Sequence, residues 1–197
     1  TRDYREAIAT YYRRRFRVDL DPDTEVVGLI GSKEGLFHIS MAFLEMGDVT
    51  LVPDPAYPTY ATAALFAGAE VVHMPLLSKN AFLPDLESIP RHALGPAKLL
   101  WVNYPNNPTG ACAPLEFFAE LVAFASEHSL LVCHDAPYVD ITYDGYHAPS
   151  LLQIPGAKKV AVEFNSLSKT YNMAGWRLGM ACGNKYALST LNSLKTN

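Results

Sequence analysis

Short apolar runs alternate with longer stretches of helical spacing along the whole chain, and this alternation limits the fold more than any other feature. The runs Glu25 to Ile30, Val49 to Pro53, Glu70 to Met74, Lys98 to Asn103, Leu130 to His134, Lys158 to Phe164 and Leu178 to Gly183 read as strands. Between them, Tyr4, Ile8, Tyr11, Tyr12 and Phe16 mark an amphipathic helix over residues 3–17. Lys33 to Met46 is apolar nearly all round and predicts a buried helix, with Gly47 fitting its C-terminal cap. Tyr57 to Ala67, stopped by Gly68, Pro114 to His128, and a segment from about Lys185 complete the helices, while Leu76 to Pro96 is less regular. Such alternation predicts an α/β domain: a mainly parallel sheet with helices on both faces. The link from Phe164 to Leu178 is near the lower limit for a parallel crossover, which points to one antiparallel strand.

Composition bounds the reading. With 197 residues, a formal net charge of −4, 49% apolar and 18% charged residues, the chain is in the range of an ordinary globular domain. The mild acidity offers no case for nucleic acid. No apolar stretch is long enough to span a bilayer. Cys112, Cys133 and Cys182 form no C-x-x-C pair, and buried reduced thiols in a cytoplasmic protein are the expectation. No metal-ligand spacing stands out. The basic run Arg13, Arg14, Arg15 and Arg17 reads as a solvated helix end more readily than as an anion site. The chain starts at Thr1 and enters a helical pattern at once, so a piece of a longer polypeptide is expected.

In parallel sheets, ligands bind beyond the carboxyl ends of the strands. After the first strand, Gly31-Ser32-Lys33 opens a helix whose N-terminus suits a phosphate, although a tight turn explains Gly31 equally well. After the second, Tyr57 lies between Pro55 and Pro58 and suits either a stacking platform or plain packing. After the fourth, Tyr104-Pro105-Asn106-Asn107-Pro108-Thr109-Gly110 is a locked loop in which Asn107 could donate to a ligand oxygen. After the fifth come Asp135, a carboxylate that is costly to bury unpaired, and Tyr138; His134 should point to the other face in a structural role. After the sixth, Ser166, Ser168 and Lys169 are followed eight residues on by Arg177. If the last strand runs antiparallel, Arg177 joins the same edge.

An anion cradle, an aromatic plate, an amide, a carboxylate with a phenol, and a lysine with an arginine together fit pyridoxal 5′-phosphate. Asn107-Pro108-Thr109-Gly110, Asp135-Ala136-Pro137-Tyr138, and Ser166-Leu167-Ser168-Lys169 with Gly175-Trp176-Arg177-Leu178-Gly179 give the chain a further resemblance. It resembles the class I aminotransferases of the aspartate aminotransferase fold, fold type I of the pyridoxal phosphate enzymes. The lysine segment looks like the branch that includes LL-diaminopimelate aminotransferases.

The resemblance implies a transaminase acting on an amino acid and a 2-keto acid, a homodimer when full length. It implies that Lys169 is the Schiff-base lysine and proton shuttle, that Asp135 pairs with the ring nitrogen, and that Tyr138 and Asn107 contact the phenolic oxygen. Tyr57 would stack on the ring, and Ser32, Lys33, Ser166, Ser168 and Arg177 would hold the phosphate beside Gly31. Residues 1–197 would be the cofactor-binding large domain, without the small domain and without the arginine that usually grips the substrate carboxylate. A β-lyase on the same scaffold and a non-enzymatic aminotransferase-like sensor are the alternatives. The resemblance also implies a cis peptide at Asn107–Pro108, with Asp54–Pro55 a second candidate.

Overall fold

The computed structural model describes residues 1–196. Seven strands form one sheet: β1 (Val26–Leu29), β2 (Val49–Asp54), β3 (Glu70–Pro75), β4 (Ala97–Asn103), β5 (Leu131–Asp135), β6 (Ala161–Ser166) and β7 (Gly179–Gly183). Their order is β1-β7-β6-β5-β4-β2-β3. Strands β2, β3, β4, β5 and β6 pair in parallel, and β7 runs antiparallel to both β6 and β1, the arrangement to which the short Phe164–Leu178 link points.

Helices cover both faces. Helices α1 (Arg2–Phe16), α4 (Arg91–Leu94), α5 (Leu115–Glu127) and the single turn α6 (Ala157–Val160) pack on one. Helices α2 (Ser32–Phe43), α3 (Thr59–Ala67) and α8 (Lys185–Thr196) pack on the other. The short α7 (Leu167–Thr170) follows β6 directly. Alternate residues of each strand feed the two cores: Leu100, Val102 and Val132 face α1 and α5, while Leu99, Trp101 and Cys133 face α2 and α3. Strands buried on both sides must be apolar throughout, which is why the runs read as continuous rather than alternating.

His134 lies on the α5 face, opposite the side chain that follows it. There the fully buried Glu163 carboxylate accepts from the Tyr12 hydroxyl (2.9 Å), the Ser150 hydroxyl (2.8 Å) and the Leu151 amide (2.9 Å), with His134 Nδ1 2.9 Å away. This network ties α1 to β5 and β6 behind their carboxyl ends, and it satisfies a charge that would otherwise be costly to bury.

Two boundaries and one burial pattern differ from expectation. Helix α2 stops at Phe43, Leu44 turns extended, and Gly47 lies in the following Glu45–Asp48 turn, where the Asp48 carboxylate accepts from the Glu45 amide (3.0 Å). The chain leaves the helix at Leu44, ahead of the glycine expected to cap it. Lys33 and Met41 are exposed, so this helix is not buried all round. Lys158 to Val160 coil into α6, and β6 begins only at Ala161.

Candidate active site

The register gathers polar groups along one edge of the sheet. Asn103, at the end of β4, is paired with Asp135 at the end of β5, and Ser166, at the end of β6, with Gly179 at the start of the reversed β7. Gly179 is also opposite Leu29, after which the chain turns into α2. A cavity of about 260 Å³ opens here. It is lined by Ser32, Lys33, Tyr57, Asn107, Asp135, Tyr138, Ser166, Ser168, Lys169 and Arg177, so ten of the eleven expected site residues meet in it.

The eleventh, Gly31, stands just behind. Its φ of 73° is left-handed, and a Cβ there would run into the Arg177 guanidinium. Glycine therefore both makes the turn and lets the arginine close over the start of α2. The first N–H groups of that helix, those of Ser32 and Lys33 among them, have no carbonyl within the helix to bond. Arg177 itself is in the left-handed region (φ 53°) and donates to the Ala174 carbonyl at 3.1 Å. With the Ser166 and Ser168 hydroxyls, this end of the cavity collects donors suited to a doubly charged anion.

The other end is built on Asp135, 4% exposed. The Tyr60 hydroxyl donates to its Oδ2 at 2.7 Å, and Oδ1 is buried without a hydrogen-bond partner among the described residues. Burial pushes the carboxyl up to about 6, partly offset by the Tyr60 hydrogen bond and by His134. Asn103 fixes two walls at once: its amide nitrogen donates to the Asp135 carbonyl (2.7 Å) and its oxygen accepts the Asn107 amide (2.7 Å). The Tyr57 ring packs edge-on against Tyr60 (centroids 5.9 Å apart), which in turn stacks on Trp101 (4.7 Å). Lys169 Nζ is 5.8 Å from the centre of the Tyr138 ring, and Lys33 Nζ is 5.9 Å from that of Tyr57. The Asp54–Pro55 and Asn107–Pro108 peptides are cis as expected, and so is Tyr104–Pro105.

Sequence reasoning missed Tyr60, Asn103, Leu36, Pro137 and Ala174 as residues of this site. Tyr60 falls three positions after Tyr57, one helical turn on, and that spacing was a usable signal. Nothing in the sequence marked Leu36 or Ala174.

The residues present fit pyridoxal 5′-phosphate. A buried acceptor oxygen with no partner suits a protonated ring nitrogen, an aromatic face lines the wall, and the helix start with Arg177 suits the phosphate. A mainly parallel sheet whose carboxyl edge presents this lysine, carboxylate and arginine defines a pyridoxal phosphate protein of fold type I. The chain belongs to the family of class I and II aminotransferases, whose model matches residues 1–197.

Its relatives include LL-diaminopimelate aminotransferase 2 of Trichormus variabilis, 59% identical over all of this chain and 51% of the relative. The LL-diaminopimelate aminotransferase of Moorella thermoacetica is 57% identical over 98% of this chain and 50% of its own. Among solved structures, a probable N-succinyldiaminopimelate aminotransferase of Thermus thermophilus superposes with a TM-score of 0.93 at 46% identity, covering 98% of this chain and 52% of that one. Substrate-bound BacF of Bacillus subtilis does so with 0.94 at 41%, covering 98% and 49%. The chain spans about half the length of the curated relatives it matches.

Proposed function

We propose that these residues are the cofactor-binding large domain of a longer pyridoxal phosphate-dependent transaminase, which moves an amino group between an amino acid and a 2-keto acid. The observation that carries the reading is the single cavity holding Lys169, the half-satisfied Asp135 carboxylate and Arg177. When bound, pyridoxal phosphate supplies an aldehyde that condenses with amines and a cationic ring that draws off electrons from the α-carbon.

The residues divide the remaining work. Asp135 Oδ1 holds the proton on the ring nitrogen, and Tyr60 turns the carboxylate so that this oxygen is the one left over. Tyr57 packs on the ring face. Asn107 and Tyr138 donate to the phenolic oxygen. The Ser32 and Lys33 amides, the Ser166 and Ser168 hydroxyls and Arg177 hold the phosphate. Lys169 Nζ, once freed, would take the proton from the α-carbon and deliver it to the carbon that was the cofactor's aldehyde.

The relatives' names make LL-diaminopimelate the first donor to assay. The reading extends to a cytoplasmic homodimer, supported by the exposed apolar Met41, Met46, Leu65 and Phe66 on α2, α3 and the turn after α2, and by the buried free Cys133 and Cys182. Among the described residues, no helix is long and apolar enough to cross a membrane. The deciding experiment gives the full-length protein cofactor, LL-diaminopimelate and 2-oxoglutarate and follows glutamate. Glutamate formation is the expected result. Pyruvate and ammonia released from a β-substituted donor without keto acid would select a β-lyase instead, and cofactor binding with no turnover of any amino acid would select a sensor.

A further inference from the structure

The basic run on α1 is not uniformly solvated. Arg13 pairs with Asp19 at the surface, but the Arg15 side chain is 22% exposed and turned inward. Its Nε donates to Asp140 Oδ1 at 2.8 Å, and its Nη2 donates to the carbonyls of Val139 (3.1 Å) and Ala148 (3.4 Å). One helical turn earlier, the Tyr11 hydroxyl donates to Asp140 Oδ2 at 2.6 Å. The same Oδ2 accepts the Thr170 hydroxyl at 3.2 Å.

Asp140 lies two residues beyond Tyr138, and Thr170 directly follows Lys169. One carboxylate thus joins α1, the Tyr138 segment and the turn that carries Lys169. Beyond that contact, the turn is held by the Leu167 amide, which donates to the Leu178 carbonyl at 3.1 Å, and by Leu167 packing on the core. Helix α7 has four residues, and it is followed by the exposed Tyr171 and by Asn172 at a φ of 52°. Among the described residues, the Thr170 hydroxyl gives α7 its one side-chain hydrogen bond to a distant part of the chain.

We propose that Asp140 is a positioning residue: held by Arg15 and Tyr11, it fixes through the Thr170 hydroxyl where Lys169 stands relative to Tyr138, a role that rests on the function proposed above. Arg15 and Tyr11 secure the carboxylate from a long helix packed on the core, so the clamp is referred to the core. The amine that must reach an α-carbon is one residue from the bond that sets its backbone, and misplacements of about 1 Å can cost two orders of magnitude in rate.

The test uses the full-length protein loaded with pyridoxal phosphate and compares Thr170→Val with Thr170→Ser. Valine keeps the shape and removes the hydroxyl, leaving the Arg15 and Tyr11 contacts in place. Thr170→Val is expected to lower kcat about tenfold with the donor KM nearly unchanged, and Thr170→Ser to restore most of the rate. A second readout does not need turnover: the rate at which hydroxylamine strips the cofactor from Lys169, followed by absorbance, should rise in Thr170→Val and return in Thr170→Ser. Wild-type kcat and wild-type stripping in Thr170→Val would overturn the role, as would a serine variant as slow as the valine one. If the wild type binds cofactor at Lys169 but transfers no amine, the proposed function falls and the stripping rates alone decide: unequal rates uphold the clamp and equal rates overturn it.

Discussion

Asp135 is a carboxylate with one oxygen paired to Tyr60 and one buried bare, and its own chemistry makes it costly to the fold. Burial raises it from 3.8 to about 6, so between those values the folded chain binds more protons than the unfolded one. Stability should therefore fall as the pH climbs from about 4 to about 6 and level off above, by up to roughly 3 kcal/mol from this group. Asp135→Asn keeps an acceptor for Tyr60 and removes the charge. Urea titrations of the cofactor-free protein at acidic and neutral pH should show the variant gaining on the wild type as the pH rises; parallel pH dependences would disprove the burial argument. The same substitution should slow amine transfer severely, because a neutral amide cannot hold a proton on the ring nitrogen, and the lost charge-assisted bond alone is worth about 1.5–3 kcal/mol. Lys169→Ala should leave no cofactor on the protein after borohydride reduction. A labelled peptide from another lysine in that variant would move the covalent role elsewhere.

At the scale of elements, the backbone of β7 meets the start of α2 so closely that a Cβ on Gly179 would sit 2.5 Å from the Ser32 nitrogen and 2.7 Å from the Gly31 carbonyl carbon. Backbone cannot yield as a side-chain tip can. Gly179→Ala should cost about 2 kcal/mol of stability and weaken cofactor binding by displacing the helix start that faces the phosphate. Gly175→Ala, with nothing within 4 Å of its Cβ, is the control and should change stability by less than about 0.5 kcal/mol. Chemical denaturation with a cofactor titration reads both effects, and equal stability of the two variants would refute the close-approach argument. The strands were legible because burial on both faces forces unbroken apolar runs, and the reversed β7 was legible from a link near the lower limit for a parallel crossover. Residues at or just past strand ends were legible too, since Asp135, Asn107 and Lys169 are polar where packing would choose otherwise. Tyr60 and Asn103 were not: each serves the site through another residue, and a tyrosine on an apolar helix or an asparagine at a strand end has ordinary reasons to be there. The end of α2 was misread because the apolar pattern runs on to Met46 while the chain turns extended at Leu44, and Lys158 to Val160 because a single helical turn has no periodicity to detect.

For the molecule as a whole, the cavity's cofactor contacts and its substrate contacts separate. Groups suited to a phosphate, a ring and an aldehyde all lie between Ser32 and Arg177, and a sheet with a core on each face holds those groups in place. The polypeptide 1–197 by itself should therefore fold cooperatively and take up pyridoxal phosphate. It should not transfer amino groups at a useful rate. Past Arg177 the sequence contains no further arginine, and the cavity shows no second guanidinium to grip a substrate carboxylate in a bidentate pair and so orient the α-proton toward Lys169. Lys169 and Arg177 are exposed, so water reaches the atoms that would react. The exposed apolar Met41, Met46, Leu65, Phe66 and Trp176 should also make the piece associate. The measurement sets purified 1–197 beside the full-length protein, with cofactor and donor in excess, and reads absorbance for binding, denaturant unfolding for the fold and keto acid for transfer. Binding without transfer is the expected outcome. Turnover within about tenfold of the full-length rate would show that neither a carboxylate clamp nor exclusion of water, each worth orders of magnitude in rate, has to come from outside these residues.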